Sequence, residues 1–222
     1  MKTETVILDP VRPDVTLTSY ILPGCRPAML VLPGGGFYAL ASHEGDPFAI
    51  RFMAEGFNAF VLNYSIGKPK SFFPRPLTDV SAAIVHIREN AEKYCIDPDK
   101  LFVIGSSAGG YLAGAIGAMW HCDFAKSSPD MEYGANRPNG VILTYGVVST
   151  REDIRCFCFD NLVTEEYGEE EASLERYVDE KSAPAFIWHS FPDECVDPRN
   201  ALVLAEAYVR AKVPCELHLY PD

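Results

Sequence analysis

Short apolar runs recur along the chain, separated by longer stretches in which apolar residues return every three or four positions. The short runs, TLTSYI, AMLVLP, NAFVLNY, KLFVIG, GVILTYG, APAFIWHS and CELHLY, are rich in β-branched and aromatic residues and read as strands. The clearest helix is PLTDVSAAIVHIRENAEKY, where Val80, Ala83, Ile84, Ile87 and Ala91 fall on one face. A second helix is expected from about Pro198 to Lys212, with Asp197 placed to cap it and Pro198 in its first turn. Strands alternating with helices imply an α/β fold, a mostly parallel central sheet with helices on both faces.

Two stretches break the alternation. One is an acidic, Gly- and Pro-containing connection from about Asp123 to Asn139; the other is an irregular region at about 149–182 that carries CFCFDNL and GEEEASLERY. The second lies between two central strands, where an insertion either overhangs the mouth of the sheet like a cap or remains a solvated acidic excursion. No internal repeat or low-complexity linker divides the chain, so residues 1–222 are expected to form one domain.

Composition narrows the function classes. The 222 residues are 48% hydrophobic, enough for one sizeable core. Against 31 acidic side chains stand 19 basic ones, a net charge of −12, and the only basic cluster is Lys68 to Lys70. Such a surface repels phosphate backbones and anionic lipid, so neither nucleic acid nor a membrane is an expected partner. The start, MKTETVILDPVRPDV, carries charges at positions 2 and 4 and lacks the apolar segment of a signal peptide, which makes a cytoplasmic enzyme the expectation. Seven cysteines (Cys25, Cys95, Cys122, Cys156, Cys158, Cys195, Cys215) form no CxxC pair and read as reduced thiols, with no metal site and no cofactor called for.

The chemistry concentrates in LFVIGSSAGGYLAGAIGAMW. Gly105-Ser106-Ser107-Ala108-Gly109 fits G-x-S-x-G, with an apolar run before it and a helix-forming run after it. A serine hydroxyl is a poor nucleophile unless the fold presents it and supplies a base. A strand-turn-helix places Ser107, not Ser106, at the tip, with small residues on either side to avoid clashes. Upstream, LVLPGGGFY ends a strand in three glycines, Gly34 to Gly36, more than a tight turn needs. Such a run lets N–H groups approach a developing oxyanion; Gly35, Gly36 and Ala108 are the candidate donors. A phosphate-binding loop is disfavoured, since no Lys-Ser or Lys-Thr follows and the spacing is not G-x-G-x-x-G.

Taken together, these motifs make the chain resemble the α/β-hydrolase serine esterases, and among them the bacterial acetyl esterases and acetylxylan esterase-like proteins. The resemblance runs through LVLPGGGFYALASHEGDPFAIRF, FPRPLTDVSAAIVHIRENAEKYCIDPDKLFVIGSSAGGYLA, FDNL and FIWHSFPDECV to VPCELHLYPD. It implies Ser107 as nucleophile, the glycine run with Ala108 as oxyanion hole, and an acid in the loop after AFIWHS. Of the three carboxylates there, Asp193 matches the D-x-x-V arrangement with Val196, Asp197 fits a helix cap, and Glu194 is set aside. One departure is Tyr111, where the family often has His, a change of packing or pocket polarity.

The larger departure concerns the base. In the family a histidine follows the last strand within a short Gly-containing loop, and a helix then closes the sheet; here that address falls just after Asp222. His43, His86, His121, His189 and His218 lie elsewhere, and His189, four residues before Asp193, is the first substitute to suspect although the family has a structural histidine there too. The expectation is therefore a chain continuing beyond Asp222, and a nearly inactive polypeptide without that segment.

The resemblance implies a serine carboxylesterase that removes acetyl or other short acyl groups from a small-molecule ester, an acetylated sugar such as a xylo-oligosaccharide. A hydrolase-fold binding protein without a base, and a peptidase or lipase of the same fold, remain open alternatives, as does a homo-oligomer. Phe37, Tyr38, Phe72, Phe73, Phe157 and Phe159 are candidate pocket residues.

Overall fold

The structure, a computed structural model, describes residues 1–221. Eight strands form one sheet: β1 (Lys2–Ile7), β2 (Thr16–Ile21), β3 (Arg26–Leu32), β4 (Asn58–Asn63), β5 (Ile96–Ser106), β6 (Gly140–Thr144), β7 (Ala185–Ser190) and β8 (Cys215–Tyr220). Their order is β1-β2-β4-β3-β5-β6-β7-β8. From β4 to β8 every pairing is parallel, whereas β1 with β2 and β2 with β4 are antiparallel. This is the sheet of the α/β-hydrolase fold.

All seven strands read from the sequence are present, and one was missed. β1 is an edge strand whose residues are almost all exposed, so Thr3, Glu4 and Thr5 carry no apolar alternation to announce it. The first long helix is shorter than its pattern: α2 (Arg75–Glu89) stops at Asn90, and a separate turn, α3 (Ala91–Tyr94), follows. Asn90 makes the break by donating its side-chain amide to the His86 carbonyl, a local bond that competes with the helix.

The remaining helices are α1 (Asp46–Ala54), α4 (Ala108–Met119), the single turn α5 (Glu169–Ala172) and α6 (Arg199–Ala211). Asp197 does cap α6, accepting the Arg199 N–H at 2.9 Å, while Pro198 stands at the boundary rather than inside the first turn. Alternate strand residues separate two cores. Leu30, Leu32, Phe60, Leu62, Leu101, Val103, Val141 and Leu143 pack with α2, α4 and α6, whereas Met29, Val31, Ala59, Val61 and Ile104 pack against α1. On that second face Phe102, Ile142 and Phe186 line a hollow and remain half-buried. No helix follows β8 among the described residues, and none of the helices is long and apolar enough to cross a membrane.

Two approaches fix how α4 meets the sheet. A Cβ on Gly105 would lie 2.0 Å from the Gly109 carbonyl oxygen, and one on Gly109 would lie 2.0 Å from the Leu32 carbonyl oxygen. Both obstacles are backbone and cannot swing away. Alanine gains about 1 kcal/mol over glycine by helix propensity. Forced overpacking costs about 1–3 kcal/mol and occasionally more, so the steric term prevails here. Gly109→Ala is therefore expected to lower the urea midpoint despite its better propensity; an unchanged or raised midpoint would show that the contact relaxes freely.

Candidate active site

The two serines are separated by one residue and by opposite environments. Ser106 ends β5 with 1% of its surface exposed, and its Oγ accepts a hydrogen bond from Thr144 Oγ1 at 2.7 Å. Ser107 sits on the turn at φ 53°, ψ −117°, a conformation that costs a side-chain-bearing residue about 1–3 kcal/mol. Backbone bonds hold it there: Ser107 N–H donates to the Thr144 carbonyl at 3.0 Å, and Tyr111 N–H donates to the Ser107 carbonyl at 3.1 Å. Its own hydroxyl makes no hydrogen bond among the described residues and is free for chemistry.

The glycine loop lies directly against this turn. A Cβ on Gly34 would fall 3.0 Å from Ser107 Cβ and 2.8 Å from the Ser106 carbonyl oxygen. Gly35 and Gly36 adopt φ of 126° and 63°, so the run is needed for conformation as well as for closeness. Among the described residues their N–H groups find no acceptor, whereas the Gly34 N–H is taken by the buried Glu44 carboxylate at 2.7 Å. Ala108, first residue of α4, adds an N–H that has no intrahelical partner. Unpaired donors beside an unpaired hydroxyl are what stabilisation of a tetrahedral anion requires.

The 149–182 region packs on this loop. Cys158, in the 3₁₀ turn Phe157–Asn161, has its Cβ 3.6 Å from where a Gly36 Cβ would stand, and Asn161 Nδ2 donates to the Gly36 carbonyl at 3.0 Å. Behind the loop, Tyr111 is fully buried and meets Phe37 and Phe159 edge to face, with ring centroids 5.8 and 5.6 Å away. Tyr111 thus acts in packing, while Phe73 joins a separate cluster with Phe124 and Tyr167. Tyr38 and Phe157 project into solvent. Burial and the thiol of Cys156 push the Cys158 thiol upward, while the hydrogen bond from Cys158 draws Cys156 down to about 7.

Asp193 is fixed by its own loop and by His189. Its Oδ1 accepts the N–H groups of Cys195 (2.9 Å) and Val196 (3.0 Å), and its Oδ2 lies 3.1 Å from His189 Nε2. Three contacts leave a lone pair of Oδ2 for one more donor. Asp197 is committed to Arg199, whose guanidinium holds its carboxyl below the usual range, and Glu194 is exposed.

All five histidines have other engagements. His189 is fully buried, and its Nε2 faces the Val196 carbonyl at 2.8 Å as well as Asp193, so that nitrogen carries the proton and holds the acid loop. His86 pairs with Tyr94, His121 with Asp179, and His218 with Glu216 on the outer strand. His43 is exposed, 3.7 Å from Glu44. No local pattern marks Glu44, Asn161 or Tyr145, because Glu44 meets Tyr145, and Asn161 meets Gly36, only through tertiary folding.

The comparisons with known proteins fit this geometry. The family model BD-FAE matches residues 22–208. Endo-1,4-beta-xylanase B of Butyrivibrio fibrisolvens is 36% identical over 201 residues, covering 88% of this chain and 32% of that protein. An acetylxylan esterase of Xylanibacter ruminicola is 29% identical over 204 residues, covering 88% of this chain and 40% of the relative. The chain thus spans well under half the length of these two relatives. Among solved structures, an acetyl ester-xyloside bifunctional hydrolase from Caldicellulosiruptor lactoaceticus superposes with TM-score 0.85 at 30% identity, over 99% of this chain and 86% of that one. A carboxylesterase from Lactobacillus plantarum gives 0.87 at 25% identity, over 100% and 84%. Because the family match runs from the end of β2 into α6, it takes in the glycine loop, the serine turn and the acid loop as one unit, and the chain belongs to the BD-FAE family of the α/β-hydrolase fold.

Proposed function

We propose that this chain carries a serine carboxylesterase that removes acetyl or other short acyl groups from a carbohydrate. The observation that carries the reading is Ser107: a side chain held at positive φ, its hydroxyl unpartnered, against a loop whose next two amides are also unpartnered. Strain of this kind persists only where the surrounding structure imposes it.

In the reaction, Ser107 Oγ attacks the acyl carbonyl carbon as its proton passes to a base. The resulting oxyanion lies among the N–H groups of Gly35, Gly36 and Ala108. Collapse breaks the bond to the sugar oxygen, which leaves with the proton, and acetate remains on Ser107 as an ester. Water, deprotonated by the same base, then attacks that ester and releases the acid. Asp193 orients the base and stabilises its cation. The engagements of the five histidines support placing the base in residues that follow Asp222. The carbohydrate assignment draws on the acetylxylan esterase and the acetyl ester-xyloside hydrolase among the similar proteins. The 149–182 region forms one wall of the site within a single domain, with no cofactor.

The acid assignment is testable by substitution in a form extended past Asp222. Asp193→Asn is expected to lower kcat by about 10⁴-fold, because an amide holds the imidazole in the wrong tautomer. KM for a chromogenic acetyl ester should stay within about threefold, since Asp193 makes no ground-state contact with substrate. Asp197→Asn should leave kcat within about twofold, the amide capping α6 about as well as the acid. Loss of turnover in the Asp197 variant instead would transfer the role to that residue. Absence of both acetyl ester hydrolysis and organophosphate labelling in the extended protein would favour a binding protein.

A further inference from the structure

We infer that Glu44 is a positioning residue that holds the glycine loop in its anion-binding shape, acting through Gly34 and braced against the nucleophile turn by Tyr145. The inference rests on the esterase reading and assigns a part of the site that this reading leaves unused. Glu44 ends the 3₁₀ turn Ser42–Glu44 just before α1, with 7% of its surface exposed. Its Oε2 accepts the Gly34 N–H at 2.7 Å, and its Oε1 accepts the Tyr145 O–H at 2.9 Å. Neither Lys nor Arg pairs with it among the described residues; the nearest basic group is the exposed His43, with Nε2 3.7 Å from Oε1.

Burying a carboxylate without a firm cation is costly, and a neutral acceptor would satisfy one amide more cheaply. What the carboxylate adds is two acceptor oxygens at fixed separation, each making a charge-assisted bond about twice as strong as a neutral one. These oxygens join two segments that no strand ladder joins. Tyr145 follows Thr144 at φ 41°, rare for a bulky residue, with its ring edge-on to Trp188 at 5.3 Å. Burial raises the Tyr145 pKa, so the phenol remains a donor. The Thr144 carbonyl accepts the Ser107 N–H. A continuous path therefore runs from Gly34 through Glu44, Tyr145 and Thr144 to Ser107.

The path also explains the division of labour among the glycines. Gly34 spends its N–H backwards on Glu44, and the two amides after it stay free. Space leaves no room for a side chain here: a Cβ at position 34 would lie 2.6 Å from Glu44 Oε2 and 3.0 Å from Ser107 Cβ. Carboxylate, loop and nucleophile form one close-packed group, so slack in the carboxylate becomes displacement of the donors.

Three variants and three readouts test this. In the extended, active protein Glu44→Ala is expected to lower kcat about a hundredfold, the scale of a displacement of about 1 Å in a reacting geometry. KM for an acetyl ester should change by less than about threefold, and affinity for a boronic acid or trifluoromethyl ketone should fall with kcat, since the donors act on the tetrahedral species. Glu44→Gln, which keeps an acceptor for Gly34, should recover most of the loss. Tyr145→Phe should cost about tenfold or less, the loss of one hydrogen bond to a charged group. Amide hydrogen exchange across Gly34 to Gly36 in the 222-residue chain reads the same contact without turnover and should quicken in Glu44→Ala. An unchanged kcat and unchanged loop exchange in a folded Glu44→Ala protein overturns the inference while leaving the esterase reading intact, as does a loss confined to KM. If Glu44→Ala does not fold, Tyr145→Phe with exchange as the readout decides, and no change in either overturns it. An unmutated protein that neither hydrolyses nor labels removes the esterase reading, and loop exchange then tests the contact alone.

Discussion

Ser107→Ala in a form extended past Asp222 is expected to abolish ester hydrolysis and organophosphate labelling together, and Ser106→Ala to abolish neither. Removing a triad nucleophile typically costs about 10⁶-fold in kcat, leaving only what binding and the oxyanion donors supply. The fold should survive. Ser107 Oγ makes no hydrogen bond, and the turn is held by backbone bonds to Thr144 and Tyr111 that a methyl side chain leaves in place. The two serines should also differ in stability. Ser106 is buried and bonded to Thr144, so its truncation removes that bond, leaves Thr144 Oγ1 only the Gly105 carbonyl, and should cost about 1 kcal/mol in urea unfolding. Ser107→Ala should be neutral or slightly stabilising, with near-unchanged circular dichroism. Stoichiometric labelling of Ser107→Ala would move the nucleophile to Ser106, against its burial.

What makes that contrast sharp was legible in the sequence to different depths. The six inner strands announced themselves because they are buried and therefore apolar or β-branched, β8 because its residues still alternate, and the elbow because a strand, a G-x-S-x-G and a small-residue helix coincide. The tight glycines follow from the same constraint, since Gly105 and Gly109 meet backbone atoms where a Cβ would stand. Asp193 was preferred over Asp197 through the D-x-x-V arrangement of the family that the chain resembles. Its hold on Cys195 N–H and Val196 N–H could not be read, because an acid loop and a capping turn look alike in one dimension. β1 was invisible for the opposite reason, an exposed edge whose residues need no apolar pattern. The Glu44 to Tyr145 contact joins residues 101 positions apart, and Asn161 reaches Gly36 across 125. Such pairings arise from topology, which sets the loops after β3 and β6 on either side of the turn that ends β5, and no local propensity encodes them.

The base is the remaining element, and it yields the other large effect. Extending the polypeptide past Asp222 by a Gly-containing turn that carries a histidine is expected to raise turnover of a chromogenic acetyl ester by at least about a thousandfold over the 222-residue polypeptide, the scale associated with a triad base. The expectation follows from where four of the five histidines are held, the fifth, His43, being exposed. His189 faces a carbonyl oxygen and the acid loop, and His86, His121 and His218 are engaged at the helices and the outer strand. Asp193 keeps a lone pair of Oδ2 free, and Phe191, two residues before it, donates its N–H to the Tyr220 carbonyl at the end of β8, so a short added loop would have the acid loop as its neighbour. A Gly-containing turn with a histidine is the simplest such loop. The similar solved chains are longer, this one covering 84–86% of the two described above. A helix after that turn would cover the half-buried Phe102, Ile142 and Phe186, so the longer form should also unfold at higher urea concentration. The two effects separate cleanly: a His→Ala change in the added turn should remove the gain in turnover and keep the gain in stability. If the 222-residue polypeptide itself hydrolyses acetyl esters at ordinary rates, the base is one of its own histidines. His189→Ala is then the first variant to measure.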